Sequence, residues 1–276
     1  MDPKPKPPLA NAGGQYDANY SNFQTELYEQ IRRQAFREDI GQHSWLTAEE
    51  QNKFLGWLDL APGKKLLDVA CGAGGPALRI AGLTGCSVVG IDVHESAVST
   101  ARTIAAERGL TARATFQTVD AARDLPFPDA HFDAILCVEA INHLPDRPRV
   151  ITDWARLLKP RGRILFTDPV VVTGPLTNSE IAARSSTGFY LFVPPNYDER
   201  IIAASGLHLR VAENLTPNMA NIAERRRAAR AANEEALCQV EGREEYDRQQ
   251  EFLAIVARAA REDRLSRFVY VADKLP

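Results

Sequence analysis

Two groups of residues have types and spacings suited to chemistry. In the first, residues 66–75 read LLDVACGAGG, which places Asp68 just ahead of Gly72 and Gly74, and Asp92 follows twenty positions after Gly72. Gly72, Gly74 and Ala77 satisfy the GxGxxG/A pattern, in which glycines let the backbone approach a ligand and a later acid accepts ribose hydroxyls. These features suit any adenosine-type ligand and taken alone would suggest NAD. Asp68 discriminates, because a carboxylate at the end of an otherwise apolar run would repel a pyrophosphate and attract an ammonium or sulfonium. In the second group, Glu139 and His143 stand four apart, on one face if the segment turns helically, and Asp168 follows a later apolar run. If Asp168 accepts one ring N–H, it fixes the imidazole tautomer and raises its basicity, making His143 a general base. The plainer readings are a tight strand-to-helix turn at Gly72 and Gly74, and a backbone carbonyl as the partner of His143.

These residues need elements that bring them to one edge. From Lys65 onward, short apolar runs alternate with helical periodicity, the pattern of βαβ units and a parallel sheet. Strands are expected at 65–70, 87–92, 115–118, 132–138, 163–167, 207–214 and 268–272. Helices are expected at roughly 76–84, 95–108, 147–158 and 197–205, with a long Arg/Glu-rich helical insertion at about 217–263. Ahead of them, Phe23, Leu27, Ile31, Ala35 and Phe36 fit an amphipathic helix, and Thr47 with Glu50 forms a capping-box pattern opening a second. The expected organisation is a flexible Pro/Lys-rich tail over 1–15, a helical cap over 16–62 and an α/β domain over 63–276. That domain is doubly wound around a seven-stranded, mostly parallel sheet. In such a sheet ligands bind beyond the carboxyl ends of the strands, where the loops carrying Asp68, Asp92, Glu139, His143 and Asp168 emerge.

With LLDVACGAGG, VVGIDV, TVDAARDLPF, FDAILCVEAINHLPD and LLKPRGRILFTDP in this order, the chain over about 36–276 resembles a class I S-adenosylmethionine-dependent methyltransferase. The resemblance implies S-adenosylmethionine as donor and S-adenosylhomocysteine as product. It implies that Asp68, Ala70, Gly72 and Gly74 cradle the methionyl part, that Asp92 meets the ribose, and that Val93 beside it is a further cofactor contact. Asp120 and Ala121 match the positions that hold adenine, although Asp120 alternatively caps its own turn. Ala70 and Arg161 replace glycines usual in the family. The stretch around His143 resembles that of small-molecule O- and N-methyltransferases, in which a histidine at this position assists deprotonation. Glu139 then contacts either the acceptor or the methionyl ammonium. A looser match carries cofactor contact to Gln42 and Ser44. Methyl transfer to an oxygen or nitrogen of a small metabolite is the expected activity, with C-methylation or a non-catalytic cofactor-binding protein as alternatives.

Composition narrows the partners. Lys plus Arg total 33 against 36 for Asp plus Glu, a formal charge of −3, which argues against a nucleic-acid or acidic-membrane binder. No run approaches the length of a membrane span and the N-terminus lacks the apolar core of a secretory signal, so a soluble, cytoplasmic protein with a small-molecule acceptor is expected. The four dispersed cysteines show no metal-ligand spacing, and no metal is expected. Tyr16 and Tyr20 are lid candidates. Arg225, Arg226, Arg227 and Arg230 suit either an anionic substrate or a solvated helix face. The stripe Phe252, Ile255, Val256 and Ala259 is expected to pack on the domain or on a second subunit, and the aromatics Phe189, Tyr190 and Phe192 line an acceptor pocket or the core.

Overall fold

A computed structural model describes residues 22–186 and 188–276; the expected tail at 1–15, Tyr16 and Tyr20 lie outside the described residues. The strands are β1 (Lys65–Val69), β2 (Ser87–Asp92), β3 (Ala114–Thr118), β4 (Phe132–Cys137), β5 (Leu158–Val172), β6 (Leu207–Asn214) and β7 (Leu265–Lys274). The helices are α1 (Glu26–Ala35), α2 (Ala48–Leu58), α3 (Gly75–Thr84), α4 (Glu95–Glu107), α5 (Arg147–Leu157), α6 (Asn178–Arg184), α7 (Tyr197–Ala204), α8 (Thr216–Ala231), α9 (Glu234–Glu241) and α10 (Arg243–Arg261). All seven strands form one sheet in the order β3-β2-β1-β4-β5-β7-β6. β1 to β5 pair in parallel, while β7 runs antiparallel between β5 and β6.

Successive side chains on a strand face opposite sides, so a sheet covered on both faces reads as unbroken apolar runs. Leu66, Leu136 and Leu165 accordingly pack with Phe54, Leu78 and Val98 of α2 to α4. Their neighbours Leu67, Ile135, Ile164 and Phe166 pack on the other side with Ile151 and Trp154 of α5 and Ile202 of α7. The strand order reverses between β1 and β4, the switch point where such sheets open a crevice.

A separate apolar cluster joins α1 to α8, α9 and α10 through Ile31, Ala35, Met219, Ile222, Leu237, Leu253 and Val256. The stripe on α10 is consumed inside this chain: Phe252 and Val256 belong to that cluster, and Ala259 packs on Val170 and Leu265. A second subunit is not needed to cover it. The basic run on α8 divides, with Arg230 buried against Glu241 and Arg226 turned toward the loop before α2.

Both departures from family glycines keep a left-handed backbone, with Ala70 at φ 56° and Arg161 at φ 65°. A Cβ is strained there, at roughly 1–2 kcal/mol per residue before the entropy cost of glycine is subtracted. Ala70→Gly and Arg161→Gly should therefore each stabilise the protein, by up to about 1 kcal/mol. Urea melts of the single and double variants check this. A fall in midpoint for either variant would show that these turns carry no strain.

Candidate active site

Beyond the carboxyl ends of β1, β2 and β4 lies a cavity of about 410 Å³. All of the donor-site and catalytic candidates line it except Gly74 and Asp168.

One wall is acidic. Asp68 ends β1 only 4% exposed, and its carboxyl accepts no hydrogen bond from a described residue. Burial, reinforced by the Asp92 charge, pushes its pKa up to about 8. Asp92 is fastened on both oxygens: Oδ2 accepts from the Gly72 amide at 2.9 Å and Oδ1 from the His94 amide at 3.0 Å. The first of these bonds ties the glycine loop to β2. Gly72, at φ 55°, turns its amide to make that bond. Gly74 serves packing rather than contact. A Cβ there would stand 2.8 Å from Ala101 Cβ and 3.0 Å from the Phe116 ring, so its glycine lets α3 approach α4 and β3.

Further along the wall, Val93 is 57% exposed, an apolar rim beside Ala121 and Asp120. The local-turn reading of Asp120 holds in part, since Oδ1 accepts from the Ala122 amide at 2.9 Å and Oδ2 pairs with Arg123 at 3.2 Å. Gln42 and Ser44 brace their own loop over the cavity. Gln42 accepts from the Ile40 amide at 2.8 Å and donates to the Glu38 carbonyl, while Ser44 Oγ accepts from the Leu46 amide.

Glu139 sits at φ 58° and its amide donates to Thr167 Oγ1 at 2.8 Å, a kink that turns its carboxylate toward the cavity wall. Oε1 accepts from Arg267 Nε at 2.5 Å, and Arg267 Nη1 donates to Glu50 at 2.7 Å. Oε2 has no hydrogen-bond partner among the described residues. Burial pushes the Glu139 carboxyl upward and Arg267 opposes it. Thr47 accepts from the Glu50 amide as a cap should, but the Glu50 carboxylate leaves the capping box for Arg267. Sequence reasoning missed Arg267, which follows Ser266 just ahead of the apolar run 268–272, where a basic residue reads as a solvated strand end.

His143 ends the 3₁₀ turn Ile141–His143. Its Nδ1 donates to the Phe189 carbonyl at 2.7 Å, which leaves the lone pair on Nε2. Burial lowers its pKa to about 4 against the raising effect of that bond, and the Arg184 charge lowers it further. The expected His143–Asp168 pairing is corrected. Asp168 is wholly buried, with Oδ2 accepting from Arg147 Nη1 at 2.6 Å and Oδ1 from the Val170 amide. A carboxylate out of water takes a charge-assisted bond from a guanidinium in preference to a neutral ring N–H. Arg147 also donates to Asp198 at 3.1 Å and to the Leu191 carbonyl at 2.8 Å, so the network fastens β5, α5 and α7 together. With one cation facing two acids, burial and the Asp168 charge hold the Asp198 carboxyl well above the usual range.

The loop before α2, the stretch from α6 to α8, and α10 complete the lining with Trp45, Arg184, Phe189, Tyr190, Arg226 and Phe252. Asn142, wholly buried on the cavity lining, has both side-chain polar atoms without a partner among the described residues. Among the described residues no helix is long and apolar enough to cross a membrane, and no three His, Cys, Asp or Glu side chains converge on a metal position.

Comparison with known proteins identifies relatives of the chain. A family model described as a methyltransferase domain matches residues 60–193. A 27-O-demethylrifamycin SV methyltransferase of Amycolatopsis mediterranei is 30% identical over 228 residues, covering 80% of this chain and 83% of that protein. A sterol 24-C-methyltransferase of Gibberella zeae is 36% identical over 147 residues, covering 52% of this chain and 38% of that protein. Among solved structures, a phosphoethanolamine N-methyltransferase of Haemonchus contortus, in complex with phosphomonomethylethanolamine and S-adenosylhomocysteine, matches with a TM-score of 0.80. That match has 21% identity and covers 99% of this chain and 62% of the other.

Proposed function

The chain belongs to the class I S-adenosylmethionine-dependent methyltransferases, and we propose that it methylates an oxygen or nitrogen of a small acceptor held in the cavity. The observation that carries this reading is the Asp68 carboxyl, buried on the cavity wall without a hydrogen bond from a described residue. Such a group is costly unless a cation completes it, and the methionyl ammonium is a cation of that kind. In this reading Asp68 and Glu139 Oε2 hold the methionyl end, Asp92 the ribose, and Val93, Asp120 and Ala121 the adenine.

The donor supplies a sulfonium methyl for a one-step in-line displacement. For the rest, the chain orients and excludes water, and orientation alone is worth roughly 7–11 kcal/mol. His143 Nε2 takes the acceptor proton, with Nδ1 held by the Phe189 carbonyl. A pKa near 4 makes it a weak base that is neutral at every physiological pH. That suits an acidic hydroxyl, such as a phenol or enol, or an amine that arrives neutral, more than an alkyl alcohol. The same weak basicity favours a second reading, C-methylation of an activated carbon, in which His143 removes a proton only after the new bond has made it acidic.

Incubation with methyl-labelled donor and a small-molecule extract, followed by fragmentation of the labelled product, tests both readings. A label on oxygen or nitrogen is expected, and a label on carbon selects the second reading. NADH binding without S-adenosylhomocysteine binding, or no labelled small molecule at all, overturns both.

A further inference from the structure

The cavity is electrically divided. Asp68, Asp92 and Glu139 enter the lining from the ends of β1, β2 and β4, while Arg184 and Arg226 enter it from α6 and α8 together with aromatic rings. Arg184 ends α6, is 3% exposed, and has Nε and Nη1 buried with no hydrogen-bond partner among the described residues. Acids on the elements around it are committed elsewhere, Glu180 to Arg258 and Arg264, and Glu245 to Arg248. What holds the guanidinium is aromatic: Cζ lies 4.6 Å from the Tyr190 ring centre and 5.0 Å from that of Phe252. Cation–π contacts offset only part of the cost of burying an unpaired guanidinium, because they leave its N–H groups without acceptors.

Building on the methyltransferase reading, we propose that the acceptor carries an oxyanion, a carboxylate or phosphoryl group on an apolar body, and that Arg184 receives that oxyanion. Two further features support this assignment. The acids at the strand ends and the arginines of α6 and α8 sort the reactants, since a cationic donor is drawn to Asp68 and an anionic acceptor to Arg184. The Tyr190 ring touches both Arg184 and His143, whose ring centre lies 4.5 Å away. An oxyanion bound at Arg184 therefore rests about one ring from the base and cancels a charge that depresses His143, so that the acceptor strengthens the base it needs.

Matched probes at saturating S-adenosylhomocysteine test the assignment by calorimetric titration: para-hydroxybenzoate against para-hydroxybenzamide, and phenyl phosphate against phenol. The charged member of at least one pair should bind about tenfold or more tightly than its neutral partner, and which pair shows it separates carboxylate from phosphoryl recognition. In R184Q that ratio should fall to about one, and in R184K it should be intermediate, because an ammonium lacks the planar fork. S-adenosylhomocysteine titration of each variant reports whether it has folded. If R184Q does not fold, the wild-type ratio and R184K decide. The absence of charge preference in every wild-type pair, from equal binding or from none, overturns the proposal, as does an unchanged ratio in a folded R184Q. Failure of the methyltransferase reading shows separately, as wild-type protein that does not bind S-adenosylhomocysteine.

Discussion

Asp68→Asn should melt at a higher temperature than the wild type and lose most of its affinity for the methyl donor. Asp68 is buried, and its pKa is pushed up to about 8. A carboxyl raised in the folded state imposes no cost below its unfolded pKa. The cost grows as pH rises through the interval up to about 8 and is complete above it. At neutral pH this strain is on the order of 2–4 kcal/mol, and a neutral isostere relieves it, for a rise in Tm of roughly 5–10 °C. Binding moves the opposite way. Removing one partner of a buried charge pair costs about 2–5 kcal/mol, or roughly thirty- to several-thousand-fold in Kd. In the wild type a cationic ligand favours the carboxylate and so lowers the Asp68 pKa. Binding then releases a proton, and affinity climbs with pH until it levels near 8. Calorimetry of S-adenosylmethionine in buffers of different ionisation enthalpy measures that proton directly. Proton uptake, or a variant that binds as well as the wild type, would remove Asp68 from the donor site.

Asp68 is also where the sequence was most legible, because a charge inside an apolar strand has few reasons to be there. The strands follow for a related reason: a sheet buried on both faces writes its core as continuous apolar runs. β5 is the instructive partial case. The apolar run marks 163–167, whereas the strand extends over Leu158–Val172. Its outer parts contain Pro160 and Pro169, which discourage a strand reading. The ladder with β7 continues past Pro169 through a register shift between Asp168 and Val171, the device by which a strand admits an extra or non-donating residue. Ala70 and Arg161 were legible as departures but not in their consequence, since only the backbone shows both turns kept left-handed. Partner choice was least legible. Sequence placed Asp168 at the right edge of the sheet, but Arg147 sits at the start of a helix, where a basic residue reads as solvated surface. Arg184 reads the same way, at the end of a short helix in a loose connection. That both are buried follows from tertiary packing, to which no local pattern is sensitive.

That partner choice separates His143 from Asp168 in kinetics. His143→Ala should lower kcat by about 10²–10⁴-fold if the acceptor loses its proton during transfer, and the proposed role of His143 toward the acceptor predicts little change in donor affinity. At saturating donor, the wild-type kcat should be flat on the acid side down to a pH near 4, where the imidazole gains a proton and the activity contributed by His143 is lost. Asp168→Asn should behave differently, since the tautomer of His143 depends on the Phe189 carbonyl. Its kcat should stay within a few-fold of the wild type. Its stability should fall only modestly, because removing the Asp168 charge lets Asp198 ionise and take over Arg147. Converting both acids to asparagine strands a fully buried guanidinium and should cost about 3–5 kcal/mol, well beyond the sum of the single changes. Urea unfolding of the single and double variants, set beside their kcat values, reads both effects. If Asp168→Asn alone reduced kcat as far as His143→Ala, with the fold intact, Asp168 would be acting on the imidazole after all.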